Sequence, residues 1–351
     1  MKIVLVSAAP PPEGGIASWT LKYISYCKKN EIDVTLVNTA LTGKRRKQIN
    51  AKRRIVDEIG RTLSVIKAMK RSVVDSDVDV VHINSSCSYL GIYRDYLCAR
   101  IAKKRNIPIV FHCHCNIKDQ ILNKPGAKVL KKICNIVAMV LVLNTESQKY
   151  ISYLTNTKTI IVPNFIEKEL IADSHRINEK IKKIVFVGHV QRTKGAFEIL
   201  DVARKLSEIE FVLVGPVSDE IKQENIPPNY VLEGAKLQSD IPRYLQEADV
   251  FLFPSYTEGF SISLTEAMAC GVPCIATNVG ANSDMLEDKG GIIIPVNNSN
   301  AIISAIDALN NVEFRKTASK WNITKVKSNY MLDSVMDLII SVYKMVIKND
   351  L

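Results

Sequence analysis

Residues 250–273 read Val250-Phe-Leu-Phe-Pro-Ser-Tyr-Thr-Glu258-Gly-Phe-Ser-Ile-Ser-Leu-Thr-Glu266-Ala-Met-Ala-Cys-Gly271-Val-Pro273. A continuous apolar run, 250–253, stops at a Pro-Ser turn. Glu-Gly follows, and then a stretch rich in Ala and Met with helical character. The run does not alternate polar and apolar residues, as expected for a strand covered on both faces. Two glutamates eight residues apart, one at a strand end and one on the next helix, can reach two parts of one ligand. Between them the helix N-terminus offers backbone N–H groups to an anion or a hydroxyl-rich ring. Spacing alone leaves a second reading open, in which Glu258 caps the turn and Glu266 is an exposed helix residue.

The same pattern extends outward along the 351 residues. Further β-branched runs occupy 2–6, 33–37, 79–83, 107–111, 139–143 and 159–162, then 183–187, 210–214, 230–232, 273–276 and 291–294. Helical periodicity lies between them, as in Ile16, Trp19/Thr20, Tyr23/Ile24 and Cys27, spaced three and four apart. Two sets of six βα units predict an α/β chain of two doubly wound parallel sheets. A chain of this length exceeds what one core usually serves. The predicted domains are 1–165 and 166–331, joined near Pro163-Asn-Phe-Ile, with a final amphipathic helix in 332–351 packing back on the first domain. Ligands of such sheets bind off the carboxyl ends of the strands. Two sheets facing each other would bring both sets of ends into one interdomain cleft.

The glutamate segment resembles the donor-site motif of glycosyltransferase family 4, retaining enzymes of the GT-B fold: Glu, seven residues, Glu, then Ala-x-Ala-x-Gly-x-Pro. The stretch from Leu237 through Ser255 resembles what leads into that motif, and the likeness is strongest over 184–295. It implies that Glu266 hydrogen-bonds the ribose hydroxyls and that Glu258 sits beside the transferred sugar. The backbone of Gly259, Phe260, Ser261 and Ile262 would line the sugar pocket. A carboxylate suits both roles because it accepts two hydroxyl hydrogen bonds at once.

A second segment, Phe186-Val-Gly188-His189-Val-Gln-Arg192-Thr-Lys194-Gly195, reads as strand end, polar loop and helix start, a cradle for a diphosphate. Charge developing on a departing diphosphate calls for fixed cations. The family pattern is similar to Gly-Arg-x(4)-Lys-Gly, which Lys194-Gly195 fits. His189 stands where the arginine would be, and Arg192 follows three residues later, so either could serve. Gly14-Gly15 after the first strand lets backbone N–H groups approach a phosphate or sugar. By the resemblance this loop faces the donor phosphates. Val110-Phe-His112-Cys-His114-Cys-Asn looks like a metal site, yet along a strand His112 and His114 share one face and the cysteines the other. Tetrahedral zinc needs convergence this segment does not supply. The family places a histidine at this strand end near the donor sugar; His114 is the first candidate and His112 the second. The predicted catalytic residues are thus His114, Lys194 and Glu258.

Asp75-Ser-Asp77-Val-Asp79 precedes its strand and so falls at the amino edge of the sheet, away from any such cleft. Catalysis is expected to be metal-independent, with no cofactor beyond the nucleoside-diphosphate sugar as co-substrate. Charge divides the chain: residues 1–165 hold 27 Lys/Arg and 11 Asp/Glu, a net +16, and the remainder holds 20 and 25, a net −5. Seven cations fall within 44–54. That run reads either as a solvated loop or as an attraction to anionic lipid or a lipid diphosphate. It lacks interleaved aromatics, so nucleic acid is not an expected partner. Met1-Lys-Ile-Val-Leu-Val-Ser turns polar too soon for a signal peptide. The longest apolar run, 136–143, falls short of the roughly 20 residues of a membrane span. A cytoplasmic chain, peripheral on the inner face of the plasma membrane, is expected, with its eight cysteines reduced.

The expected reaction is transfer of a hexosyl-type sugar to a glycan acceptor, polyprenyl-linked, in surface polysaccharide assembly. Retention of configuration and that acceptor class rest on the resemblance; the absence of a candidate nucleophile fits a front-face mechanism. A nucleotide-sugar epimerase of the same fold and a non-catalytic sugar-nucleotide binding protein are the alternatives.

Overall fold

The computed structural model describes residues 1–11, 14–40, 55–74 and 77–348. The basic run of 44–54 and Asp75 lie outside them. The apolar runs become β1 (Lys2–Ser7), β2 (Asp33–Asn38), β3 (Val80–Ser85), β4 (Ile109–Cys113), β5 (Met139–Val142) and β6 (Thr159–Ile161), followed by β7 (Lys183–Val187), β8 (Glu210–Val214), β9 (Tyr230–Gly234), β10 (Val250–Phe253), β11 (Cys274–Thr277) and β12 (Gly291–Ile294). Helices fill the connections, and every strand pair described is parallel. The sheet orders are β2-β1-β3-β4-β5-β6 and β12-β11-β10-β7-β8-β9.

Burial follows position in the sheet. The inner strands β3, β4, β5, β10 and β11 are buried along their whole length, which is why their sequences are continuous apolar runs. The edge strands β2 and β6 are half-exposed. Three strands start later than their runs suggest: β3, at Val80, and two whose runs contain a proline. β4 opens at Ile109, because Pro108 has no N–H to give the ladder; its carbonyl accepts from Val81 N at 3.0 Å. β11 opens at Cys274 after Pro273, whose carbonyl accepts from Phe251 N at 2.9 Å. The shift carries β4 through Cys113 and so sets His112 inside a strand.

Asp79 stands at the amino edge, where its Oδ2 accepts from Lys2 N at 2.7 Å. Both sheets reverse direction once. The chain steps from β1 to β2 and returns to lay β3 on the other side of β1. It steps from β7 through β8 to β9 and returns to lay β10 against β7. Reversal points of this kind leave a crevice off the carboxyl ends, where ligands settle.

The chain divides into one unit of Met1–Val162 with Met336–Leu351 and a second of Pro163–Val335. The helix Leu332–Lys348 buries Met336, Ile339, Val342, Tyr343 and Val346 at helical spacing. Each such side chain contributes about 1.5–3 kcal/mol when fully buried. The polar end of Tyr343 is satisfied within the first unit by Tyr23 OH, 2.8 Å away, and by His82 Nδ1. All eight cysteines are unpaired and buried. Among the described residues no helix is long and apolar enough to cross a membrane.

Candidate active site

In the second unit the crevice lies beside β7 and β10. The loop after β7 closes through the short turn Arg192–Lys194 and enters the helix Ala196–Lys205 through Gly195. Gly195 has φ 78°, and a Cβ there would lie 2.3 Å from Pro254 O. The two loops therefore meet backbone to backbone, which only glycine allows. Tyr256 N donates to Thr193 O at 3.0 Å, and Thr277 Oγ1 donates to Ser255 O at 2.5 Å, fixing the turn after β10 from both sides. On this frame Lys194 Nζ donates to Glu258 Oε1 at 2.5 Å, 5.7 Å from the centre of the Phe253 ring. The two side chains are 26% and 12% exposed. A cation so placed is screened from bulk water yet still open to an incoming anion.

Glu258 rests on the loop after β11. Ala281 N donates to Gly259 O at 3.2 Å. Gly280, at φ 54°, would put a Cβ 2.2 Å from Glu258 O. Gly280→Ala is expected to cost about 1–2 kcal/mol from the left-handed backbone alone, and more from pushing the Glu258 carbonyl. Thermal melting should show the lowered stability, and a donor titration should show weakened binding beyond it. Retained donor affinity would mean that the Glu258 loop does not depend on this support.

Ser261 Oγ donates to Asn282 Oδ1 at 2.7 Å, and Asn282 Nδ2 donates to Thr277 O at 3.0 Å, anchoring the start of the helix Ile262–Ala269. Thr265 N bonds back to Ser261 O at 3.1 Å, so the N–H groups ahead of it stand outside the intrahelical ladder. Phe260 is buried edge-on against Tyr330, with ring centres 5.3 Å apart, so it can offer a ligand only its backbone. Ile262 is exposed. Glu266 is 5% exposed, and its Oε1 accepts from Gln238 Nε2 at 2.5 Å. The structure thus brings Lys194 and Glu258 into contact and sets Glu266 one turn along the next helix. Arg192 is engaged elsewhere: its guanidinium lies 3.8 Å from the centre of the Phe197 ring, and its Nε lies 3.4 Å from Glu220. His189 is exposed and unpaired among the described residues.

In the first unit the matching crevice lies beside β1 and β3. Gly15 opens the helix Gly15–Lys29, with Gly14 in extended backbone before it. A Cβ on either glycine would meet nothing within 4 Å, so internal packing does not call for glycine, and the space beside both is open. His114 follows β4, and its N–H donates to Ser85 O at 2.8 Å. Its Nε2 donates to Asn84 Oδ1 at 3.1 Å, and Asn84 Nδ2 donates to Ser7 Oγ at 3.0 Å. Burial pulls the His114 imidazole down to about 3, so the ring is neutral near pH 7 and Nδ1 is left as an acceptor. His112 is fully buried, its ring 4.0 Å from that of His114 and 5.4 Å from that of His82, edge-on to Trp19. Neither ring nitrogen of His112 has a partner among the described residues, and burial holds it neutral as well. Of the two residues, His114 at the strand end is part-buried and His112 fully buried. Among the described residues no group of three or more His, Cys, Asp or Glu is arranged to hold a metal ion.

Sequence reasoning missed Gln238, Asn282, Gly280 and Asn84. Gln238 stands within the stretch leading into the glutamate motif, so its place was marked without its role. Asn84 ends an apolar strand and carries no local signal.

Two family models cover most of the chain: "Glycosyltransferase Family 4" matches residues 13–170 and "Glycosyl transferases group 1" matches residues 167–324. A galactosyltransferase of Escherichia coli, named UDP-Gal:alpha-D-GlcNAc-diphosphoundecaprenol alpha-1,3-galactosyltransferase, is 24% identical over 327 residues, covering 82% of each chain. A glycosyltransferase named for teichuronic acid biosynthesis in Bacillus subtilis is 25% identical over 259 residues, covering 69% of this chain and 64% of that one. HepE of Anabaena in complex with UDP superposes with a TM-score of 0.76 at 14% identity, over 98% of this chain and 100% of that one. The chain belongs to the glycosyltransferases that these two family models describe, and its fold is GT-B.

Proposed function

We propose that this glycosyltransferase moves a hexosyl-type residue from a nucleoside-diphosphate sugar to a polyprenyl-linked glycan, with retained configuration and without a metal ion. The setting is surface polysaccharide assembly at the inner face of the plasma membrane. The observation that carries the reading is the Lys194–Glu258 pair at the reversal point of the second sheet, with Glu266 on the following helix. The relatives named for a UDP-galactose donor with a lipid-diphosphate acceptor, and for teichuronic acid biosynthesis, support the substrate class. The solved neighbour that holds UDP supports the nucleotide.

In this reading Glu266 accepts the ribose hydroxyls, and the donor diphosphate draws Lys194 away from Glu258. The bond between the anomeric carbon and the diphosphate oxygen breaks, and its electron pair leaves with the diphosphate. Lys194 and the free N–H groups of the helix Ile262–Ala269 stabilise that charge, the term that usually dominates. Gly14 and Gly15, at the start of the helix Gly15–Lys29, offer backbone N–H groups to a phosphate or a sugar. Glu258, released from Lys194, accepts from the sugar hydroxyls. His114, by the family resemblance a donor-sugar residue, is neutral and can accept a hydroxyl at Nδ1. The acceptor hydroxyl attacks the face the diphosphate leaves, and its proton passes to the departing phosphate oxygen.

The test is incubation with labelled UDP- and GDP-hexoses, with and without a polyprenyl-diphosphate-linked sugar, in buffer containing EDTA. The expected result is label in the lipid fraction only when acceptor is present, in a linkage with the donor's anomeric configuration. Free altered sugar without acceptor would instead mark an epimerase. Donor binding with no turnover on any acceptor would mark a binding protein.

A further inference from the structure

The helices Ile55–Ser72 and Gly91–Lys103 both follow strands of one parallel sheet, so they run side by side in the same direction. Each carries a second apolar stripe besides the one that faces the core. On the first helix Ile59 and Leu63 are 55% and 64% exposed, and Ile66 continues the same face at helical spacing. On the second, Tyr93 and Leu97 are exposed one turn apart, with Tyr89 set edge-on to Tyr93 just before the helix.

Toward their C-terminal ends the two stripes open into a groove of about 450 Å³, floored by Ile66, Val73, Leu97 and Ile101. Its rim is cationic, with Lys70, Arg100, Lys104 and Arg105, and no carboxylate lines it among the described residues. Cations at helix C-termini answer to the helix dipole. The floor is the outer edge of the core, to which Val73 belongs and on which Ile66 and Ile101 pack, but neither the core nor the dipole calls for exposed Leu63 and Leu97.

We propose that this two-helix face is where the protein rests on an anionic phospholipid surface. The groove takes part of an acyl chain, and the four rim cations meet the lipid phosphates. Apolar residues that insert and cations that stay at the headgroups are the chemistry of an interfacial helix face, and tyrosines suit its boundary. The charge balance favours this occupant over a second copy meeting through the same face, since residues 1–165 carry a net +16. The proposal deepens the reading of a lipid-linked acceptor and names the surface that reading requires.

The test is flotation of the full chain with vesicles of phosphatidylcholine alone or with about a third phosphatidylglycerol, without donor or acceptor. Wild type is expected to float with the anionic vesicles and release at high salt. The variant Lys70→Gln/Arg100→Gln/Lys104→Gln is expected to bind them ~10²-fold more weakly, about fivefold for each cation. Leu63→Ser/Leu97→Ser, at exposed positions, is expected to weaken binding without removing its salt dependence. Far-UV circular dichroism and an unchanged melting temperature of the unliganded chain serve as the folding control. Three results would overturn the proposal: equal binding to neutral vesicles, full binding by the triple variant while a variant neutralised at 44–54 loses it, or a fall in particle mass on mutation that marks a dimer face. Transfer to a water-soluble acceptor, measured separately, tells failure of this proposal from failure of the transferase reading.

Discussion

Lys194→Ala is expected to lower kcat by ~10²–10³-fold, about 3–4 kcal/mol of transition-state stabilisation, with a much smaller change in KM. The fold places Lys194 at the reversal point of the second sheet, beside Glu258, while Arg192 lies over Phe197 and near Glu220. A fixed charge acts most where charge is still growing, so its loss falls on the chemical step more than on binding. Stability should change little, because a part-exposed ion pair contributes at most about 1 kcal/mol. The variant does leave the Glu258 carboxylate without its partner at 12% exposure. The melting temperature of Lys194→Ala itself settles that concern: if the variant melts with wild type and is slow, the defect is catalytic. Lys194→Arg should recover part of kcat, since it restores charge with different geometry. A Lys194→Ala enzyme with kcat within threefold of wild type would leave the diphosphate to other groups, His189 first among them.

The inner strands were legible because burial on both faces imposes continuous apolar runs, and the half-exposed edge strands β2 and β6 through their β-branched residues. Their starts were less so, since Pro108 and Pro273 each look like part of a run yet cannot enter a ladder. Lys194, Glu258 and Glu266 were legible as motif residues, but the bond between the first two was not. It exists because β10 lies against β7, a neighbour relation that 64 residues of intervening chain do not reveal. Gln238 and Asn84 escaped for the same reason, reaching partners 28 and 30 residues away. The choice between Arg192 and His189 stayed open in the sequence because a stacking partner five residues on looks like any other helix residue. Phe197 becomes visible as that partner only once the turn Arg192–Lys194 has set the guanidinium over its ring.

Glu266→Ala is expected to abolish most nucleotide-induced stabilisation while leaving the unliganded melting temperature nearly unchanged. A nucleotide at a hundredfold over its Kd adds about 2.7 kcal/mol to the folded state, which for a unit of this size is about 5–10 °C. A carboxylate accepting two ribose hydroxyls supplies about 3 kcal/mol through charged hydrogen bonds. Its removal should raise Kd ~150-fold, so the same nucleotide concentration would add only about 0.3 kcal/mol. Gln238, one partner left behind, is exposed and passes its N–H to water. Glu266→Gln, which keeps one acceptor, should fall between the two. A panel of UDP, GDP and their sugars, run on wild type and both variants, reads base and site together. Stabilisation by one base series, lost in step with the carboxylate, ties ribose recognition to Glu266. Equal stabilisation of wild type and Glu266→Ala would move the ribose elsewhere, and no stabilisation of wild type at millimolar nucleotide would take the donor reading with it.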